Sequence, residues 1–124
     1  MTDKKIIGIV GSRRRNDIED FKIVEKEFFS LYGPGDVIVS GGCRQGADCF
    51  AERIARDNGI TIIIYHADWN SRGKGAGLWR NTFIAKRADI LIGCVAPDRT
   101  GGTENTIKKF KDMKTDWEER LFII

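Results

Sequence analysis

Four apolar, strand-like runs in this chain each stop at a glycine-bearing junction, and each junction leads into a helix-like segment. The junctions are Gly11–Arg15 (GSRRR), Ser40–Asp48 (SGGCRQGAD), Arg72–Asn81 (RGKGAGLWRN) and Thr100–Asn105 (TGGTEN). A strand–loop–helix unit repeated in this way builds a parallel sheet, and the loops after its strands gather at one edge, where ligands bind. Glycine lets backbone come close to a ligand, and each new helix N-terminus offers N–H groups that suit a phosphate.

The runs between the junctions fit that scheme. Lys5–Val10 reads as a first strand buried on both faces. Asp17–Tyr32 reads as a helix, with Asn16 or Asp17 as its cap, acids at Glu19 and Asp20, and Ile18, Phe21, Val24, Phe28 and Leu31 at helical spacing. Gly33-Pro34-Gly35 turns the chain into a second strand, Val37–Val39, followed by a helix over Gly46–Asn58. Ile60–Tyr65 is a β-branched third strand. A polar loop, Asp68–Gly75, leads to a helix over Leu78–Arg87 and a fourth strand over Ala88–Val95. A last helix, Thr103–Met113, and a short closing strand, Arg120–Ile124, complete the pattern. The expectation is a three-layer Rossmann-like α/β fold with a mostly parallel sheet of about five strands. Its 124 residues suffice for one domain spanning 1–124 with a single core.

Composition narrows the function classes. A net charge of +3 permits an anionic ligand without specifying nucleic acid. No apolar run approaches the ~20 residues of a membrane span, and the N-terminal apolar stretch is too short for a signal peptide. Cys43, Cys49 and Cys94 are odd in number and lack CxxC spacing, so they read as small core residues rather than disulfides or zinc ligands. A cytoplasmic protein with no metal and no resident cofactor is the expectation.

The second junction carries the most specific signal. Ser40, Gly41 and Gly42 leave a strand, while Gly46, Ala47 and Asp48 open a helix; the turn between can form an anion-binding nest, with Arg44 adding charge. A tight turn tolerant of glycine is the plainer reading. Asp48 either stabilises its helix N-terminus or accepts hydrogen bonds from ribose hydroxyls. In the fourth junction Gly101 and Gly102 precede Thr103, which either caps a helix or bonds a phosphate oxygen. Gly11, Ser12 and Arg13 end the first strand, where a central strand abuts a site; Arg14 and Arg15 read as solvated. The third junction brings Trp69, Lys74, Gly75, Arg80 and Asn81 together, an aromatic to stack a base and cations to meet phosphate, although a single Trp after a strand is more often a core edge or lid anchor. His66 has no carboxylate or cysteine partner at a catalytic spacing and reads as a surface residue.

Several schemes are absent. Gly8–Arg13 does not fit GxGxxG, Gly73-Lys74-Gly75 lacks P-loop spacing, and no HExxH or GxSxG occurs.

Taken in order, GSR at Gly11–Arg13, SGGCRQGAD at Ser40–Asp48, DW…GKGAGLWRN at Asp68–Asn81, Ala88-Asp89 and GGTEN at Gly101–Asn105 resemble the SMF/DprA–LOG superfamily of Rossmann-like proteins, most of all its YspA/YpsA-related branch. The resemblance implies a site for a nucleotide or nucleotide derivative, ADP-ribose-like or a nucleoside phosphate, at the strand C-terminal edge. The LOG enzymes of the superfamily cleave an N-glycosidic bond, with an arginine before an Ala-Asp strand start and a glutamate three residues past the GGxGT threonine. Arg80 matches the arginine. Asn81 replaces the usual lysine beside it, Thr106 stands at the glutamate position, and Glu104 lies nearby.

Two further function classes stand beside a nucleotide-binding sensor or carrier. One is a phosphoribohydrolase using Arg80, with Glu104 or Asp48 as its carboxyl. The other is DprA-like single-stranded nucleic-acid binding, disfavoured because aromatic residues are not interleaved with the basic ones. The partner expected is thus a small nucleotide derivative, with nucleic acid disfavoured and no membrane. A homo-oligomer is implied by the resemblance alone.

Overall fold

The computed structural model describes residues 4–42, 45–67 and 73–124. Its strands are β1 (Ile6–Gly11), β2 (Val37–Ser40), β3 (Ile62–Ile64), β4 (Ile90–Cys94) and β5 (Leu121–Ile123). Its helices are α1 (Ile18–Leu31), α2 (Ala47–Asn58), α3 (Ala76–Arg87), α4 (Gly102–Met113) and the single turn α5 (Trp117–Arg120), with a 3-10 turn over Gly73–Gly75 before α3. All described pairings are parallel, in the order β3-β2-β1-β4-β5. The chain therefore steps outward from β1 to β3 and then returns to lay β4 on the other side of β1.

That order explains why β1 is apolar throughout. It lies between β2 and β4 and is covered on both faces, so alternate residues enter two separate cores. Ile7 and Ile9 join Ile38, Ile92 and Cys94 beneath Phe21, Val24 and Phe28 of α1 and Phe50, Ala51 and Ile54 of α2. Val10, Val39 and Leu91 point the other way, beneath Ile84 and Ala85 of α3 and Ile107 and Phe110 of α4.

Local chemistry sets the ends of the elements. Asp17 caps α1, its carboxylate accepting the Asp20 N–H at 2.9 Å. Asp36, almost fully buried, accepts from the Lys5 and Gly33 N–H groups and pairs with the Lys5 ammonium, each at 2.8 Å. It thereby fixes where β1 and β2 begin.

The closing strand is present. The turn α5 escaped the sequence reading because four residues show no periodicity; an Asp116–Arg120 ion pair at 2.8 Å and Lys111 over the Trp117 ring at 4.6 Å hold it. Strand β3 is shorter than expected because, as the sheet's edge, it pairs only with β2 and over three residues. Ile18, expected to face inward, is half exposed. Cys94 is buried as expected, whereas Cys49 is exposed and Cys43 lies outside the described residues. Among the described residues no helix is long and apolar enough to cross a membrane.

The tightest constraint lies at the end of β1. A Cβ on Gly11 would stand 2.5 Å from the Ala47 Cβ and 2.9 Å from both the Cys94 Cβ and its carbonyl. We expect Gly11→Ala to destabilise the protein by about 1–3 kcal/mol, read as a lower urea midpoint with an unchanged slope.

Candidate functional site

The β1–β2 ladder ends at the pair Gly8↔Val39, and beyond it the two strands part. Ser40 fills the opening: its hydroxyl lies 3.0 Å from the Ile9 carbonyl and 2.8 Å from Oδ1 of Asp48. Asp48 stands in the first turn of α2, whose preceding residue Gly46 has φ +76° and packs against the Ser12 carbonyl. A side chain at Gly46 would meet both problems at once. The Gly46 N–H donates to Oδ1 of Asn16 at 2.7 Å, so the loop after β1 holds the start of α2.

Asp48 is 8% exposed. Burial pushes its carboxyl above the usual range, against the Ser40 hydrogen bond, the Arg80 charge and the Gly41 N–H, while Glu52 adds to the rise.

Arg80, on the first turns of α3, reaches across to this corner. Its Nη1 donates to the Gly41 carbonyl at 2.5 Å and the Tyr65 carbonyl at 3.2 Å, and its Nε donates to Oδ1 of Asn81 at 2.9 Å. Asn81 is buried, and its Nδ2 donates to the Gly102 carbonyl and to Oδ1 of Asn105, each at 3.2 Å. One side chain thus ties the guanidinium to the start of α4.

These pieces surround a cleft of about 450 Å³ between the ends of β1 and β4. This is the position where the strand order reverses, and the loops after β1 and β4 part to opposite faces there. Val10, Gly11, Ser12, Arg13 and Arg14 line it from β1, and Asp48 from α2. Gly77, Leu78, Arg80, Asn81 and Ile84 line it from α3, and Thr100–Thr103 with Thr106 from the start of α4.

The expected site residues divide into three groups. Gly11, Ser12, Arg13, Asp48, Arg80, Asn81, Gly101, Gly102 and Thr103 line the cleft together. Ser40, Gly41, Gly42, Gly46 and Ala47 are not among the lining residues: Ser40 and Gly41 bond to Asp48 and Arg80, and Ala47 packs on Gly11. Gly75 is exposed in the 3-10 turn. Arg44 and Trp69 lie outside the described residues, as does the side chain of Lys74.

Glu104 is turned elsewhere. Both its carboxylate oxygens accept from Arg99, at 2.7 and 2.8 Å, and it is not among the lining residues. Thr106 is, and it is almost fully buried.

Arg14 and Arg15 are not simply solvated. Arg14 grips Asp98 through two hydrogen bonds, at 2.9 and 2.6 Å, and also reaches the Thr100 hydroxyl at 2.9 Å. The pair joins the loops after β1 and β4 at the rim of the cleft and holds the Asp98 carboxyl well below the usual range. Arg15 pairs with Asp20 at 2.9 Å and donates to the Val95 and Ile124 carbonyls at 3.2 and 2.6 Å. Of the lining residues not expected at the site, Arg14, Gly77, Leu78 and Thr100 lie within the glycine junctions, whereas Val10 and Ile84 carry no signal beyond strand and helix apolarity. His66 is exposed, as expected.

Asn81→Ala removes the clamp between Arg80 and α4 and leaves the Gly102 carbonyl and Arg80 Nε to find other partners. We expect a loss of about 1–3 kcal/mol in urea unfolding, without change of far-UV circular dichroism.

The fold has a solved counterpart. The molybdenum cofactor binding protein from the phototrophic bacterium Rippkaea orientalis superposes with a TM-score of 0.72 at 19% identity, over 99% of this chain and 90% of that one. No curated protein matches the sequence. Residues 9–71, which carry the first two glycine junctions, match the family described as "YspA, cpYpsA-related SLOG family". The chain belongs to that family.

Proposed function

We propose that the cleft binds a nucleotide or nucleotide derivative, with its phosphate at the start of α4 and beside the β1 loop. The observation that carries this reading is the meeting of three elements on one cavity. These are the Gly101–Thr103 opening of α4, the Ser12–Arg13 end of β1, and the Arg80 guanidinium that Asn81 ties to α4. The first N–H groups of a helix have no partner within it and favour an anion, and Thr103 adds a hydroxyl to the same wall. Val10, Leu78 and Ile84 give the cavity an apolar side suited to a planar ring. At about 450 Å³ the space matches small-molecule sites, which occupy roughly 300–1,000 Å³. The structural neighbour is named for binding a cofactor, and this supports a small-molecule occupant. Such a site supports a sensor or carrier role, which needs no further groups.

A hydrolytic reading rests on a separate observation. With Glu104 held by Arg99 and Thr106 in the wall, Asp48 is the one carboxyl among the described lining residues. Its burial, which pushes the carboxyl above the usual range, suits a general acid. Cleavage of an N-glycosidic bond would then use Arg80 on phosphate and Asp48 near the ribose. Chromatographic detection of free base from a nucleoside monophosphate decides it, and an unchanged rate in Asp48→Asn removes Asp48 from the reaction.

For the binding reading, titration calorimetry with AMP, ADP-ribose, NAD and cyclic nucleotides is the test. At least one should bind, and Arg80→Ala should weaken it by about tenfold or more, the worth of a hydrogen bond to a charged group. Absence of binding by all of them would overturn the reading.

A further inference from the structure

The corner formed by Ile9, Ser40 and Asp48 constrains where protons lie. Along β1 the carbonyls alternate sides: Lys5 accepts from Val37 of β2, and Ile6 accepts from Asp89 before β4. Ile9 has the parity of Lys5, so its carbonyl faces β2. It lies one residue past the last β1–β2 pair, and the hydroxyl of Ser40, 3.0 Å away, takes the place of a strand partner.

A serine hydroxyl carries one proton. If Ser40 gives it to Ile9, the 2.8 Å contact between Ser40 Oγ and Asp48 Oδ1 must be bridged by a proton on Asp48. If Ser40 gives it to an ionised Asp48, the Ile9 carbonyl faces a hydroxyl oxygen at 3.0 Å with no proton between them. Only the first arrangement satisfies the whole chain, Asp48 to Ser40 to Ile9.

We infer that Asp48 stands in the cleft as a neutral carboxylic acid donating to Ser40, and that anion binding is coupled to retention of this proton. The inference rests on the proposal that the cleft holds a phosphate-bearing ligand, and it adds the charge state in which the site receives that ligand. An un-ionised Asp48 leaves the Arg80 charge beside it available to an anion. Ionised, it places a negative charge on the same wall and repels the ligand. Bound anion in turn stabilises the protonated acid, so binding takes up a proton between the two titrations.

Burial of Asp48 acts in the same direction. Around it, Arg80 from α3 favours ionisation, and Glu52, one turn along α2, opposes it. Arg13 and Arg14 of the β1 loop share the cleft, Arg14 already engaged by Asp98. His66, after β3, packs against Gly42, and α4 contributes only the uncharged Thr103 and Thr106 to the lining beside the glycines.

The test is calorimetry with ADP-ribose from about pH 5 to 9, because its diphosphate diester lacks the second proton of a monoester that titrates near pH 6. The affinity of the natural chain should fall as pH rises through the Asp48 titration, by up to about tenfold per pH unit. Buffers of different ionisation enthalpy should reveal proton uptake. Asp48→Asn should flatten the profile and abolish the uptake; a slope surviving in this variant would come from another group and would overturn the inference. Binding that is independent of pH in the natural chain overturns the linkage alone. Absence of binding at every pH overturns the ligand reading and the linkage with it.

Carbon-13 titration of the Asp48 carboxyl in the unliganded natural chain tests the proton itself, whether or not Asp48→Asn folds. It should titrate above the ordinary carboxylate range, near pH 4 in model peptides, and Ser40→Ala should lower it by removing the acceptor. An ordinary titration, or a rise in Ser40→Ala, would show Ser40 donating to a carboxylate instead.

Discussion

Helix α2 meets the end of β1 with nothing larger than the Ala47 methyl between them at the point of contact. Gly11 lies against the Ala47 methyl, and Gly46 lies against the Ser12 carbonyl, so the layers approach more closely here than where branched side chains separate them. The rest of the site depends on this approach. It sets Asp48 beside Ser40 at the parting of β1 and β2, and it leaves the end of β1 uncovered toward the cleft. A methyl group added there would lift α2 away and move Asp48 with it.

The opposite wall is built differently. Arg80 crosses from α3 to the carbonyls of Gly41 and Tyr65, and Asn81 carries the connection on to Gly102. Two neighbouring residues of one helix therefore join the ends of β2 and β3 to the start of α4. Asn81 uses both its amide hydrogens and its oxygen in doing so, which makes it a brace as well as part of the cleft wall. A lysine at that position could donate but could not accept from Arg80. The asparagine is thus matched to the brace that this chain has.

Electrostatics around the cleft follow from pairing. Arg14 with Asp98, Arg15 with Asp20 and Arg99 with Glu104 commit three acids and three cations of the surrounding loops to one another. The Arg14 pair is half exposed and so adds little to stability, but it links the two loops that part at the switch in strand order. Arg15 is more enclosed and fastens α1 to the ends of β4 and β5. Asp48 is set apart from these acids, since it is enclosed, faces the cleft and contacts a hydroxyl whose single proton has two claimants.

Much of this was legible in the residues. The β-branched runs, the helix caps and the glycine junctions depend on local sterics and hydrogen bonding, and these placed every long element within a few positions. Nine of the expected site residues, all from these junctions, line the cleft, because a loop after a central parallel strand has few other places to go. What sequence could not decide was direction and partnership. Glu104 and Thr106 lie two residues apart on one helix, and only the packing of α4 turns the acid toward Arg99 and the threonine into the wall. Arg14 read as solvated because its partner lies 84 positions away. Asp48 read equally as a helix stabiliser or a ligand group until α2 was seen pressed against β1. Local chemistry fixed the elements and the glycine-lined edge; long-range contacts, which no spacing encodes, decided which charges face the cleft and where its proton is held.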